Sequence, residues 1–245
     1  MKFQTIGNPN DSLIIMLPGS FCPSSGLNYL YEKLKDDYCI VLVEYNGHYE
    51  NSTFSSRQNE AKGIVEYIQK QNIHTIKMIY GQSMGAEIAI ELFKQLEKTN
   101  INVDYCFLDG APCIKLPYLY KKFMHFKFNQ ILKMMKKKEV DQILNMKLIK
   151  KIARGNTENL RPMIEPMALI AQFLTKESVK NETECCYTFD FPSFDKETQN
   201  KMYFFYGKEE KAYKTCYSGV KKAYLQANSI FKEGYGHLMY FNVFY

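Results

Sequence analysis

Gly81-Gln82-Ser83-Met84-Gly85 is flanked by two segments of opposite periodicity. Before it runs Thr75-Ile76-Lys77-Met78-Ile79-Tyr80, a short β-prone apolar segment. After it, Ile88, Ala89, Leu92, Phe93 and Leu96 recur at spacings of three and four, the stripe of an amphipathic helix. A G-x-S-x-G motif between strand and helix is a nucleophile elbow. The serine sits on a strained turn that lifts its hydroxyl clear of the sheet, and the glycines leave room where strand and helix crowd together. The three fixed letters alone carry little weight, since chance supplies them in about one chain in ten of this length. The strand-turn-helix context makes the motif informative, and Ser83 reads as a nucleophile.

The rest of the composition fits one domain with an insertion. A chain of 245 residues, 46 % hydrophobic, buries a sizeable core. No N-terminal basic start leads into an apolar run with a small-residue cleavage site, so no secretory signal is expected and the expected location is cytoplasmic. No apolar stretch reaches the roughly 18–20 residues needed to span a bilayer. The seven cysteines (22, 39, 106, 113, 185, 186, 216) are odd in number and lack C-x-x-C or Cys/His metal spacing. Reduced, buried thiols are expected, with no metal and no cofactor. The adjacent Cys185 and Cys186 are the one pair with a redox reading, which nothing else in the sequence supports.

Outward from the motif, strands alternate with helices, the pattern of a mainly parallel sheet covered on both faces. The expected strands are 1–6 at an edge, 12–17, 38–44, 75–80, 103–108, 201–206 and 229–232. The expected helices are 27–34, 61–69, the one after the motif, and 213–226. Ligands of such sheets bind at the carboxyl ends of the strands. The chemistry-bearing residues fall just past those ends: Ser83, Asp109, the Glu209-Glu210 pair and His237.

The runs Leu17-Pro18-Gly19-Ser20-Phe21, Glu44-Tyr45-Asn46-Gly47-His48, Gly81 to Gly85, Leu108-Asp109-Gly110-Ala111-Pro112, residues 204–210 and Gly234-Tyr235-Gly236-His237 follow one another in an order that resembles the α/β-hydrolase family, from about residue 12 to residue 240. The resemblance implies an α/β-hydrolase fold and a triad in the order serine, acid, histidine. It implies Ser83 as nucleophile and His237 as general base. It places the acid three residues beyond Gly207, at Glu210, where most relatives carry Asp. Glu209 and Asp109 stay open as alternatives. It implies an oxyanion hole from the backbone N–H groups of Met84 and Ser20, with Pro18 where relatives carry a histidine. His48 matches a loop histidine that is structural in relatives. His74 reads as a solvated loop residue, His125 as part of a basic aromatic stretch, and Glu87 as a helix residue near the pocket floor or solvent.

Between Pro112 and about Asn200 the strand pattern stops. The division expected is residues 1–112 and 200–245 as the hydrolase core, with 113–199 as an inserted helical lid. Residues 121–154 carry ten lysines and one arginine against Glu139 and Asp141, a net charge of +9 where the whole chain has +6. Apolar residues interleave with that charge. Two readings stay open: an amphipathic basic cover that attracts anionic substrates or an anionic membrane surface, or a lid with an apolar face over the pocket and a solvated lysine face. No nucleic-acid recognition module is present, and no nucleic-acid partner is expected.

Ser rather than Asp in the motif argues against the epoxide-hydrolase and haloalkane-dehalogenase types. A Met- and aromatic-rich lid suits an acyl or aryl group. The first functional expectation is a serine hydrolase cleaving a small or medium carboxylic ester through an acyl-enzyme on Ser83. The alternatives are a thioesterase for acyl-CoA or acyl-carrier protein and a catalytically silent binding protein on the same fold.

Overall fold

The computed structural model describes residues 1–152, 157–210 and 213–236. Seven strands, β1 (Lys2–Ile6), β2 (Leu13–Leu17), β3 (Cys39–Glu44), β4 (Thr75–Gln82), β5 (Asn102–Asp109), β6 (Met202–Gly207) and β7 (Asn228–Lys232), form one sheet in the order β1-β3-β2-β4-β5-β6-β7. Only the β1–β3 pair is antiparallel, with Lys2 opposite Glu44. The inner strands β2 and β3 are apolar runs because both their faces are covered, the expected signature of a parallel sheet. β1 is a largely exposed edge, and its alternate Phe3 stacks on Tyr67 at 3.8 Å.

The helices are α1 (Asn28–Tyr31), α2 (Arg57–Lys70), α3 (Met84–Leu96), α4 (Tyr118–Lys137), α5 (Val140–Leu144), α6 (Lys147–Ile152), α7 (Arg161–Ala171), α8 (Lys176–Tyr187), α9 (Lys196–Asn200) and α10 (Tyr213–Ala223). α2 starts a turn earlier than its apolar stripe suggests, because the Ser56 hydroxyl accepts the Asn59 N–H at 3.2 Å and caps it. The helix expected over 27–34 is not continuous. A 3-10 turn at Ser24–Leu27 leads into the single α-turn of α1, and the following turns close through bonds such as Lys33 N–H to Leu30. Buried Leu27 and partly buried Leu30 are three residues apart, a spacing that a 3-10 turn aligns on one side.

The main core joins α2 and α3 to one face of the sheet through residues such as Ile64, Ile88 and Leu92. Leu27, Ile40, Leu42 and Tyr80 belong to a second cluster on the other face. The segment between β5 and β6 divides. Leu132, Met135, Ile143, Leu144, Ile164 and Ile170 from α4, α5 and α7 make a separate cluster, whereas Cys185 and Cys186 of α8 and the following Phe189 and Phe194 join the main core. Phe21, from the loop after β2, belongs to the separate cluster and ties it to the sheet.

The glycines of the motif are set by backbone crowding. A Cβ at Gly85 would collide with the carbonyl oxygens of Leu17 and Pro18, and one at Gly81 with Gly85 and Ala86 backbone. α3 therefore begins in contact with the end of β2, a spacing that no larger residue permits. Gly85→Ala is expected to lose about 1–3 kcal/mol of stability, the usual cost of forcing atoms into filled space. Chemical denaturation of the two proteins measures this directly.

Candidate active site

β4 ends at Gln82 and α3 begins at Met84, so Ser83 alone makes the connection. Its backbone has φ 53° and ψ −116°. Positive φ in a residue with a Cβ is disfavoured by roughly 1–3 kcal/mol and persists only where the surroundings enforce it. The enforcement is visible. The Ser83 N–H donates to the Asp109 carbonyl at 2.7 Å, and its own carbonyl accepts the Ala86 N–H at 2.9 Å. Gln82, Met84 and Gly85 are buried while Ser83 is partly exposed, so the turn brings that one residue toward the surface.

The Met84 N–H occupies the first position of α3, where no intrahelical carbonyl can reach it. It also lies at the positive end of the helix dipole. The loop after β2 closes over the same turn, since a Cβ built on Gly19 would stand 3.4 Å from the Ser83 Cβ. Ser20 follows directly, its hydroxyl 3.1 Å from the Cys186 sulfur. The structure thus brings the residue 18–20 loop against Ser83, directly before the start of α3.

What holds that loop includes one residue the sequence did not single out, Glu182. The Phe21 N–H donates to Glu182 Oε2 at 3.0 Å, and Phe21 itself has φ 56°. Glu182 Oε1 lies 3.0 Å from His48 Nε2. On the other side of the imidazole, Glu44 Oε1 lies 3.3 Å from Nδ1. Glu44 Oε2 accepts both the N–H and the hydroxyl of Ser24, at 3.0 and 2.9 Å. Burial works against the imidazolium, yet Glu182 and Glu44 outweigh it and push the His48 pKa up to about 9. His48 is therefore buried between two carboxylates that favour its charged form, and it bridges α8, the loop after β3 and the loop after β2. This is a structural role, as the resemblance implied. Glu182 left no signal in the sequence because its partners lie more than a hundred residues away.

Asp109, at the end of β5, is fully buried, and its carboxylate accepts the Tyr80 hydroxyl at 2.7 Å. Tyr29 continues that chain, 3.2 Å from the Tyr80 hydroxyl and 3.1 Å from the Gln82 side-chain amide. Glu209 is exposed, whereas Glu210 is partly buried and its charge is felt by Tyr206 and Cys216. Glu210 is thus the more buried of the two. The loop at Tyr235 and Gly236 presses against Gly207, where a Cβ would strike both carbonyl oxygens. The Glu209 N–H donates to the Tyr235 carbonyl at 3.0 Å. His237, the expected base, lies outside the described residues.

Glu87 is fully buried, not in solvent. Its Oε1 accepts the Cys113 N–H at 2.9 Å and its Oε2 lies 3.6 Å from the Arg57 guanidinium. Burial raises its pKa to about 8, with Arg57 and the Cys113 N–H pulling the other way. Arg57 in turn donates to the Cys185 carbonyl at 2.8 Å, so this pair fastens α2 and α3 to the end of α8. Cys185 and Cys186 are buried free thiols whose pKa values burial raises. Among the described residues no group of His, Cys, Asp and Glu has the arrangement of a metal site. His74 is exposed, as expected.

No protein-family model matches this sequence, and no curated protein matches it either. Solved structures match it closely in shape. A protein of the alpha/beta hydrolase family from Desulfitobacterium hafniense superposes with a TM-score of 0.70 at 17 % identity, covering 96 % of this chain and 91 % of that one. An esterase from Exiguobacterium antarcticum gives 0.64 at 17 % identity, covering 98 % and 89 %. The N-formylmaleamic acid deformylase of Pseudomonas putida S16 gives 0.67 at 15 % identity, covering 96 % and 89 %. The strand order, the single antiparallel edge, the serine between β4 and α3 and these superpositions agree: the chain has the α/β-hydrolase fold.

Proposed function

We propose that the protein is a serine hydrolase cleaving a carboxylic ester of a small or medium acyl or aryl substrate. The observation that carries the reading is Ser83, held at positive φ between β4 and α3 and partly exposed, with the residue 18–20 loop against it. Strain of that kind at a single serine is kept where it positions a reacting group.

In this reading the Ser83 hydroxyl attacks the acyl carbonyl while His237 accepts its proton, and Glu210 holds the imidazole in the productive tautomer. The oxyanion of the tetrahedral intermediate is bound by the Met84 and Ser20 N–H groups, each worth about 10²–10³ in rate. Collapse expels the alcohol, which takes the proton back from His237. Water then hydrolyses the acyl-enzyme by the same steps in reverse. Residues 113–199 serve as the lid, and Phe21, Phe128 and Tyr187 supply an aromatic wall beside the loop. Phe128 meets Phe21 edge-on at 5.0 Å and stacks with Tyr187 at 6.1 Å.

Intact-mass analysis after fluorophosphonate treatment tests the proposal. One adduct on the wild type, formed far more slowly in His237→Ala, is the expected result; no adduct on folded wild type overturns it. The acid is decided separately. Glu210→Gln is expected to lower kcat by about 10²–10⁴ with little change in KM, in line with loss of a triad carboxylate. Asp109→Asn is expected to lose stability through its Tyr80 contact while retaining more activity. The opposite ranking of kcat moves the role to Asp109.

A further inference from the structure

The outer face of α4 is unusual for a solvated lid. Leu119, Phe123, Phe126, Gln130, Lys133 and Lys137 follow one another at spacings of four and three, and therefore form one stripe along the helix. Leu119 is 76 % exposed, Phe126 59 % and Phe123 52 %. The opposite side of the helix, with Leu132 and Met135, is buried in the separate cluster, and Phe128 there reaches Phe21. The stripe is thus a second apolar surface and not the one that packs on the protein. Its first half is aromatic and aliphatic, and its second half is basic. Lys122 and Lys127 lie over the Tyr118 and Phe123 rings at 4.6 and 4.9 Å, flanking the apolar half with charge. α4 contains no Asp or Glu.

We propose that this face docks the protein onto an anionic lipid bilayer surface, with Leu119, Phe123 and Phe126 entering the headgroup boundary and the lysines pairing with lipid phosphates and carboxylates. Exposed aromatics flanked by lysines match the two layers of that surface, an apolar interior under a negatively charged rim. A second copy of the same face fits poorly. Two parallel stripes set lysine on lysine, and two antiparallel stripes set lysine on phenylalanine, with no carboxylate within the stripe to satisfy them. The helix is also the one whose inner face carries Phe128 toward the loop beside Ser83, so the docked orientation turns that end of the molecule to the lipid.

Co-sedimentation of the whole chain with vesicles of phosphatidylcholine, with and without phosphatidylserine, tests this without any activity assay. The wild type is expected to pellet with the phosphatidylserine vesicles, to be released by raised salt, and to stay in solution with phosphatidylcholine alone. Each lysine near the surface accounts for about five-fold in partitioning, so the Lys122→Glu/Lys133→Glu/Lys137→Glu variant is expected to lose at least about a hundred-fold. Phe123→Ser/Phe126→Ser, which alters only exposed positions, is expected to lose binding while its thermal melt is unchanged. Equal partition onto both vesicle types overturns the proposal. So does undiminished binding of the phenylalanine variant, or a wild-type dimer in sedimentation velocity that this variant abolishes.

Discussion

Ser83→Ala is expected to eliminate fluorophosphonate labelling and to lower kcat for a p-nitrophenyl ester by about 10⁴–10⁶, because the members of a serine triad act as one unit. Its melting temperature should stay close to wild type, since alanine keeps both the Cβ and the strained backbone. Ser83→Gly separates chemistry from strain. It is expected to be equally inactive but to melt higher by about 2–4 °C, because glycine accepts φ 53° and relieves about 1–2 kcal/mol, part of which its extra unfolded-state entropy offsets. Differential scanning calorimetry of the three proteins reads the melting difference, and p-nitrophenyl ester turnover reads the loss of activity. Equal melting of the alanine and glycine variants would remove the strain from the account, and full activity in Ser83→Ala would remove the nucleophile.

The second large effect is expected at Glu182. Glu182→Ala removes one of the two carboxylates that neutralise buried His48 and the acceptor of the Phe21 N–H. Deleting one partner of a buried ion pair costs about 3–5 kcal/mol, which at this chain length is a fall of roughly 6–20 °C in melting temperature. Activity at temperatures where the variant is folded should also drop, because Phe21 follows Ser20 directly and the loop loses its anchor to α8. The same group predicts a pH dependence. His48 is raised from 6.5 to about 9 in the folded protein, so its stabilising contribution is complete below about pH 6.5 and is lost as pH rises through about 9. Buried Glu87, raised from 4.5 to about 8, acts with the same sign. The difference between wild type and Glu182→Gln therefore isolates the His48 part. Urea midpoints should converge between the two proteins as pH is taken from about 6 to about 10. Parallel curves across that range would mean that His48 is uncharged in the fold.

The fold was legible in the sequence because its signals are local. Short apolar runs ending at Gly or Pro, helices with a three-and-four stripe, and a serine between them set the alternation from which a mostly parallel sheet follows. All seven strands, the edge strand among them, lie within a residue or two of their expected bounds for the same reason. The helix expected over 27–34 is only partly present, as α1 over Asn28–Tyr31 behind a 3-10 turn that ends at Leu27, because Leu27 packs under the sheet from that tighter turn.

By itself the sequence determined the strand order's raw material, the place of Ser83 and the concentration of charge between β5 and β6. Periodicity and glycine spacing act over a few residues, so one chain suffices to read them. Tertiary structure alone decided which polar groups are buried together. Glu182 reaches His48 across 134 residues and Phe21 across 161, Glu87 meets Arg57 and Cys113, and Asp109 lies under Tyr80. It also decided which of two apolar sides of α4 packs inward and which stays exposed, since both sides carry aromatic residues and only the neighbours distinguish them. Such pairings are fixed by burial, where a charge must find its partner wherever the chain brings one.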